Sequence, residues 1–343
     1  MPRLALLSVL ASALAGCDPA PQTLSLSGQT MGTTYTITAL DKSGDLDPEA
    51  VQAAIEATLA AVNTTASNWD PTSEVSRFNA LDTTEAVAIS AEFAAVIEAA
   101  NQVHAQSLGQ FDLTLGPLIE LWGFGSRTPE TPVPSDEAIA AALARVGQAE
   151  VLTLTNTDPP TLQKADPETS VFLAAIAKGY GVDRLGQTLT ALGIEDFMVE
   201  IGGDLLVAGQ NPEGAPWRIG IERPQEGTRA VEEVVRVSDL GMATSGDYRN
   251  YVEAEGVRYT HILDAETGRP IVHTTASVTV LAESAMLADA WATALLALGA
   301  ERGLAVAEQH DLGVLFIKRV EGGETPRFET VASPRFSALQ ASE

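Results

Sequence analysis

Apolar residues recur at helical spacing in some stretches of this chain and alternate with polar ones in others. Val51, Ile55, Leu59 and Val62 mark one amphipathic helix. Phe93, Ile97, Ala100 and His104 mark a second, opened by Ser90, and Ile139, Leu143 and Val146 a third, opened by Ser135. A fourth is predicted from Lys178 to Leu192, stopped by Gly193, and the last begins at Ser284 and runs through "AMLADAWATALLALG". "MGTTYTITAL" (31–40) reads as a strand, as do "MVEIGGDLLVAG", "WRIGIERP", "VEEVVRVSDLGMATSG" and "ASVTVLA", while "YRNYVEAEGVRYTHILD" reads as a hairpin. Strands in runs with helices between them favour an α+β domain over a doubly wound sheet.

Composition narrows the class. The chain has 343 residues, 45% of them apolar, which is enough for a sizeable core. Its formal charge of −26 repels polyanions, which argues against nucleic acid and against electrostatic docking on anionic lipid. A phosphate-bearing ligand therefore needs a local remedy, such as a metal cation or a helix N-terminus.

The first residues read as a targeting segment. Arg3 supplies a charged start, Leu4 to Ala15 is apolar, and "LAGC" ends at Cys17, the one cysteine in the chain. The segment resembles a bacterial lipoprotein signal over residues 1–16, with Cys17 as the lipidated residue and Asp18 favouring retention at the inner membrane, facing the periplasm. An ordinary signal peptide is the plainer alternative. Residues 17–28 are expected to be a tether and 29–343 the folded domain. With no second cysteine, that domain has no internal disulfide.

Several stretches carry candidate chemistry. Asp289 and Thr293 lie four apart on the last helix, so a carboxylate and a hydroxyl share one face, a donor pair suited to Mg²⁺. The plain alternative is a hydroxyl bonded back to its own helix and a solvated or capping Asp. Gly202 and Gly203, read as lying inside an apolar strand, mark a bulge or the close approach of a ligand. "AKGYGVDR" (177–184) resembles a lysine-containing phosphate turn but lacks P-loop spacing. In "ATSGDYRNY", Ser245 and its neighbours can hydrogen-bond a ligand, and the G-x-S-x-G of serine hydrolases is absent. His104, on an apolar helical face, reads as a hydrogen-bonded core residue. His261, in "THILDAETGRP", reads either as a strand-end residue or as a proton acceptor, with Asp264 orienting its ring or capping the next turn.

Taken in order, "MGTTY", "WDPTSEVSRFN", "FDLTLGPLIELWGFG", "AIAKGYGVDRL", "VEIGGDL", "WRIGIERP", "ATSGDYRNY", "THILDAETGRPI" and "SVTVLAESAMLADAWATALLALG" resemble the FAD:protein FMN transferases of the ApbE type, over about residues 29–318. The resemblance implies a single α+β domain with a T-fold-like core that binds FAD in a cleft. It implies Mg²⁺-dependent transfer of FMN to a Thr or Ser hydroxyl of an exported or membrane-bound flavoprotein, with release of AMP. By the same resemblance Asp289, Thr293 and the carbonyl of Ala175 hold Mg²⁺. Met31, Trp69, Gln110, Phe111, Asp112, Lys178 and Leu263 contact FAD, and Gly202 and Gly203 let the backbone approach it. His261 assists the transfer. Two positions depart from the family pattern. Phe172 stands where many members have Asp, and Ala292 where some have a second Asp near the metal. Hydrolysis of FAD to FMN and AMP, or FAD binding without turnover, are the rival activities.

Overall fold

The computed structural model describes residues 22–124, 133–225, 230–248, 251–254, 257–320 and 326–341. Cys17 and the segment before it lie outside them. The chain opens with a hairpin of β1 (Gln22–Thr30) and β2 (Thr33–Asp41), joined by a two-residue turn at Met31 and Gly32, both with positive φ (51° and 74°). Two expectations change here. The tether ends sooner than residue 28, because Leu24 and Leu26 alternate with polar residues and pack on the core as an edge strand. Met31, expected inside a strand, is a turn residue.

Helix α1 (Pro48–Ala66) follows, with Asp47 as N-cap and Pro48 in its first turn. The predicted stripe Val51, Ile55, Leu59, Val62 is buried. Then come α2 (Glu74–Asn79), β3 (Val87–Ala88) and α3 (Ala91–Gln106). Ser90 caps α3 by accepting from Phe93 N at 3.0 Å, and His104 Nδ1 sits 2.7 Å from the Phe111 carbonyl oxygen, the core hydrogen bond expected for it. Next are α4 (Gly116–Trp122), α5 (Asp136–Leu143, capped by Ser135), α6 (Gln148–Val151), β4 (Leu152–Thr155) and β5 (Thr161–Lys164). Helix α5 stops at Leu143, so Val146 packs from a turn rather than from the helix.

The second half supplies most of the main sheet. Helix α7 (Ala177–Ala191) leads into β6 (Phe197–Ile201) and β7 (Asp204–Ala208). Gly202 and Gly203, expected within a strand, form the two-residue turn between them, with φ of 57° and 100°, a conformation in which side-chain-bearing residues are strained. After β8 (Trp217–Glu222) and β9 (Val231–Val237), a separate hairpin, comes β10 (Leu240–Gly246). The expected hairpin is β11 (Tyr251–Ala254) with β12 (Val257–Thr260), and a short pair follows, β13 (Leu263–Asp264) with β14 (Arg269–Pro270). The chain closes through β15 (Thr275–Ala282), α8 (Ala285–Gln309), β16 (Gly313–Val320), β17 (Arg327–Ala332) and α9 (Pro334–Ala341).

The main sheet has the order β1-β2-β6-β7-β10-β15-β16-β17 and every pairing in it is antiparallel. The α+β reading therefore holds, with a mostly antiparallel sheet and helices packed upon it. Helix α8 is long and apolar enough to cross a membrane, but 72% of its most apolar window is buried inside the domain, where it serves as the central core helix. Burying Leu295, Leu296 and Leu298 contributes about 1.5–3 kcal/mol each. It is interrupted at Gly299 (φ 73°), where His273 Nε2 lies 2.9 Å from the Leu296 carbonyl oxygen.

Two glycines fix where α8 begins. A Cβ on Gly179 of α7 would lie 2.2 Å from the Ala285 carbonyl oxygen, and one on Gly241 of β10 would lie 2.3 Å from Ala285 N. The start of α8 is thus held by backbone against backbone on both sides. Ser284 caps it by accepting from Leu287 N at 3.2 Å, and Asp183 of α7 accepts from Ala285 N and Met286 N at 2.8 and 2.9 Å. Burial lifts the Asp183 carboxyl to about 6, with those two N–H donors pulling the other way.

Candidate active site

A cleft of about 660 Å³ opens where α7, α8, β8 and β10 meet the β6–β7 turn. That size falls within the roughly 300–1,000 Å³ usual for small-molecule sites. Of the residues singled out in the sequence, Gln110, Phe111, Asp112, Ala175, Lys178, Gly202, Gly203, Ser245, His261, Leu263, Asp289 and Thr293 all line it. They come from distant parts of the chain, brought together by the sheet order and the wedging of α8.

Asp289 projects from the second turn of α8 and is only 3% exposed. Its Oδ2 accepts from Gly179 N at 3.1 Å and its Oδ1 from Lys178 Nζ at 3.2 Å. One turn on, Thr293 Oγ1 meets Ser245 Oγ at 3.2 Å, so Ser245 supports the hydroxyl of the proposed metal pair. Of the plain alternatives, burial rules out a solvated Asp289 and Thr293 turns to β10, while the capping role is met in part, because Asp289 accepts from Gly179 N in the first turn of α7. Lys178 also pairs with Asp204, the first residue of β7, which is 2% exposed. Burial alone would ease the proton off the Lys178 ammonium, but the two carboxylates outweigh it and hold its pKa above the ordinary lysine value. The Asp204 carboxyl is raised, by burial first and by the nearby Asp289 charge second.

Asp204 and Glu200 were not singled out in the sequence. The signal was present, since "EIGGDLL" sets an acidic residue at each side of the glycine pair. Glu200 lines the cleft and braces the turn, accepting from Gly203 N at 2.5 Å and from Thr36 Oγ1 at 3.1 Å.

Asp112 reaches the cleft, but its side chain is spent on the scaffold. One oxygen accepts from Thr114 N at 2.6 Å and the other from Gln148 N, at the start of α6, at 2.8 Å. The Phe111 ring is buried as well, and its N–H and C=O are taken by Ser107 Oγ and His104 Nδ1. Gln110 Oε1 accepts from Ala265 N at 3.4 Å and so ties this loop to the segment after His261. Asp264 caps the following turn, accepting from Glu266 N and Thr267 N at 2.8 and 3.0 Å. The choice left open in the sequence thus falls to turn capping.

Two expected contact residues do not line the cleft. Trp69 is 80% exposed and meets the cleft residue Phe172 edge-on, ring centres 6.3 Å apart, which places it on the rim. Met31 packs half-buried against α7. Its turn still adjoins the site, because a Cβ on Gly202 would fall 2.9 Å from Thr33 Cγ2 and 3.5 Å from Lys178 Cδ.

Among the described residues, no three His, Cys, Asp or Glu side chains gather as a metal cluster. The donor set at Asp289 and Thr293, one carboxylate and one hydroxyl facing a ligand-sized cleft, fits a hard cation that takes its remaining ligands from water and phosphate.

The profile of the ApbE family matches residues 31–316. A protein from Vibrio cholerae named FAD:protein FMN transferase is 44% identical over 323 residues, 94% of either chain. One of the same name from Haemophilus influenzae is 42% identical, covering 96% of this chain and 95% of that one. Among solved structures, the flavin transferase ApbE from Vibrio cholerae superposes with a TM-score of 0.83 at 42% identity, covering 93% of this chain and 99% of its own. The ApbE protein from Thermotoga maritima does so with a TM-score of 0.79 at 30% identity, covering 93% and 99%.

Proposed function

The chain belongs to the ApbE family, and from that premise we propose that it transfers the FMN half of FAD to a Thr or Ser hydroxyl of a partner flavoprotein, releasing AMP. The observation that carries this reading is the convergence of His261, Lys178, Asp289 and Thr293 on one cleft of ligand size, in a chain that matches FAD:protein FMN transferases along nearly its whole length.

Asp289, Thr293 and the carbonyl of Ala175 would hold Mg²⁺, which when bound offsets the pyrophosphate charge and polarises the phosphorus under attack. Lys178 adds a second positive charge for the phosphates. The Gly202–Gly203 turn lets a ligand approach the backbone with no side chain in the way, while its two N–H groups stay with the Thr34 carbonyl and the Glu200 carboxylate. His261 takes the proton from the attacking hydroxyl as its oxygen bonds to phosphorus and the bond to the AMP phosphate oxygen breaks. The low exposure of Asp289 and Asp204 keeps bulk water from screening these charges.

Incubating the purified protein with FAD, Mg²⁺ and a candidate acceptor domain tests the reading. Covalent flavin on the acceptor together with AMP is the expected result. Free FMN and AMP in place of the adduct would make the protein an FAD pyrophosphatase, and unchanged FAD would make it a binding protein.

The placement in the cell is part of the proposal. Residues 1–16 act as a lipoprotein signal, Cys17 carries the lipid, and the domain faces the periplasm from the inner membrane. Cys17→Ser is then expected to move the protein from the membrane fraction to the soluble one with its melting temperature unchanged. Wild-type protein in the soluble fraction would sink this placement.

A further inference from the structure

Lys178, Asp204 and Asp289 form a group of one partly exposed ammonium and two buried carboxylates on the wall of the cleft. The carboxylate proposed to bind Mg²⁺ already holds a cation, the protein's own. Asp289 Oδ2 is taken by Gly179 N and its Oδ1 by Lys178 Nζ, 3.2 Å away. A divalent ion entering here faces an ammonium that competes for the same oxygen, and the neighbouring carboxylate, Asp204, is also engaged by Lys178. The ammonium has a second anchor in Asp204 and a side chain that is 31% exposed, so it can turn from Asp289 without losing all its partners.

Building on the FAD reading, we propose that Lys178 couples cation binding to FAD binding by exchanging partners. Without FAD, it holds Asp289 and keeps the cation weakly bound. When the pyrophosphate enters, Lys178 pairs with it and with Asp204, and Asp289 Oδ1 is released to the cation. No bond is made or broken. The exchange links two binding events through one side chain, so each ligand strengthens the other. It also spares the cleft a bare divalent charge when no substrate is there to balance it.

A Lys178 that were merely a fixed positive charge would repel Mg²⁺ equally with and without FAD. Partner exchange makes its effect depend on FAD, and the two cases separate in a binding cycle. Mg²⁺ binding is measured by calorimetry on the wild type and on Lys178→Met, each with and without FAD, with FAD integrity checked by chromatography. Without FAD, the Met variant is expected to bind Mg²⁺ at least ~10-fold more tightly than the wild type, within the usual range of such couplings. The factor by which FAD tightens Mg²⁺ is expected to be at least ~10-fold smaller in the variant. An unchanged factor would overturn the exchange and leave Lys178 a fixed charge. Should Lys178→Met fail to fold, Asp204→Asn serves instead. It leaves the ammonium with Asp289 as its one carboxylate, so FAD-free Mg²⁺ affinity should fall ~10-fold, and no change would likewise overturn the exchange. A wild-type protein that does not bind FAD at all would bring down the functional reading itself, an outcome distinct from either of these.

Discussion

His261→Ala is expected to fold, to bind FAD and Mg²⁺, and to transfer FMN at least ~100-fold more slowly, the lower end of what a lost general base costs. His261 lines the cleft in the turn between β12 and β13, with the Ile262 carbonyl held by Ile271 N at 3.1 Å and Leu263 buried behind it. The backbone on its C-terminal side is therefore fixed by partners that truncation at Cβ leaves in place. What disappears is the imidazole, the side chain suited to accept a proton near neutral pH. Transfer rates with an acceptor domain and FAD affinity by flavin fluorescence are the two measurements needed. A folded variant with near-normal transfer would return His261 to a purely structural role.

Asp289→Asn is expected to lose activity at low Mg²⁺ and to regain part of it at high Mg²⁺, with the half-saturating concentration raised at least ~10-fold. Changes to mere outer-shell partners of a metal site already cost about 10–100-fold. The substitution keeps the shape but removes the charge, and the geometry adds a second cost. Turned so that its oxygen accepts from Gly179 N, the amide points its NH₂ at the Lys178 ammonium, and turned the other way it sets NH₂ against N–H. Either way a buried donor is left unmatched, worth about 1–3 kcal/mol of stability. A thermal melt run beside the Mg²⁺ titration separates the two effects. Wild-type activity at every Mg²⁺ concentration would make Asp289 structural and put the metal elsewhere.

The elements legible in the sequence are those whose signals are local. Ser90, Ser135 and Ser284 announced three helices because an N-cap hydroxyl satisfies backbone groups only two or three residues on, and Val51 to Val62 announced a fourth through its periodicity. The misses are of another kind. Leu24 and Leu26 alternate as a strand should, but seven residues of small polar character around them looked like linker, and only the pairing with β2 makes them a strand. Gly202 and Gly203 looked like a defect within one strand, because two antiparallel strands joined by a two-residue turn leave no polar gap to mark the reversal.

The candidate site was legible as a set of residues through family resemblance, and hardly at all as a geometry. Lys178 lies 26 residues from Asp204 and 111 from Asp289. No local rule links such positions. The same distance in sequence hid the scaffold role of the Asp112 carboxylate, whose partner Gln148 is 36 residues away. Trp69, which the resemblance expects to contact FAD, sits exposed on the rim beside Phe172.

The glycine contacts at the start of α8 bear on how fast this site can respond. Because Gly179 and Gly241 bring main chain directly against Ala285, no compliant side chain separates α7, α8 and β10 at that point. A slide of the helix bearing Lys178 against the helix bearing Asp289 would drive main chain into main chain at this point. Rearrangement among Lys178, Asp204 and Asp289 is left to rotation about side-chain bonds, which takes picoseconds to nanoseconds where exposed, against microseconds to milliseconds for hinged or sliding helices. Under the proposed exchange, the charge pattern of the cleft would then change by side-chain rotation alone, with no movement of α7 against α8.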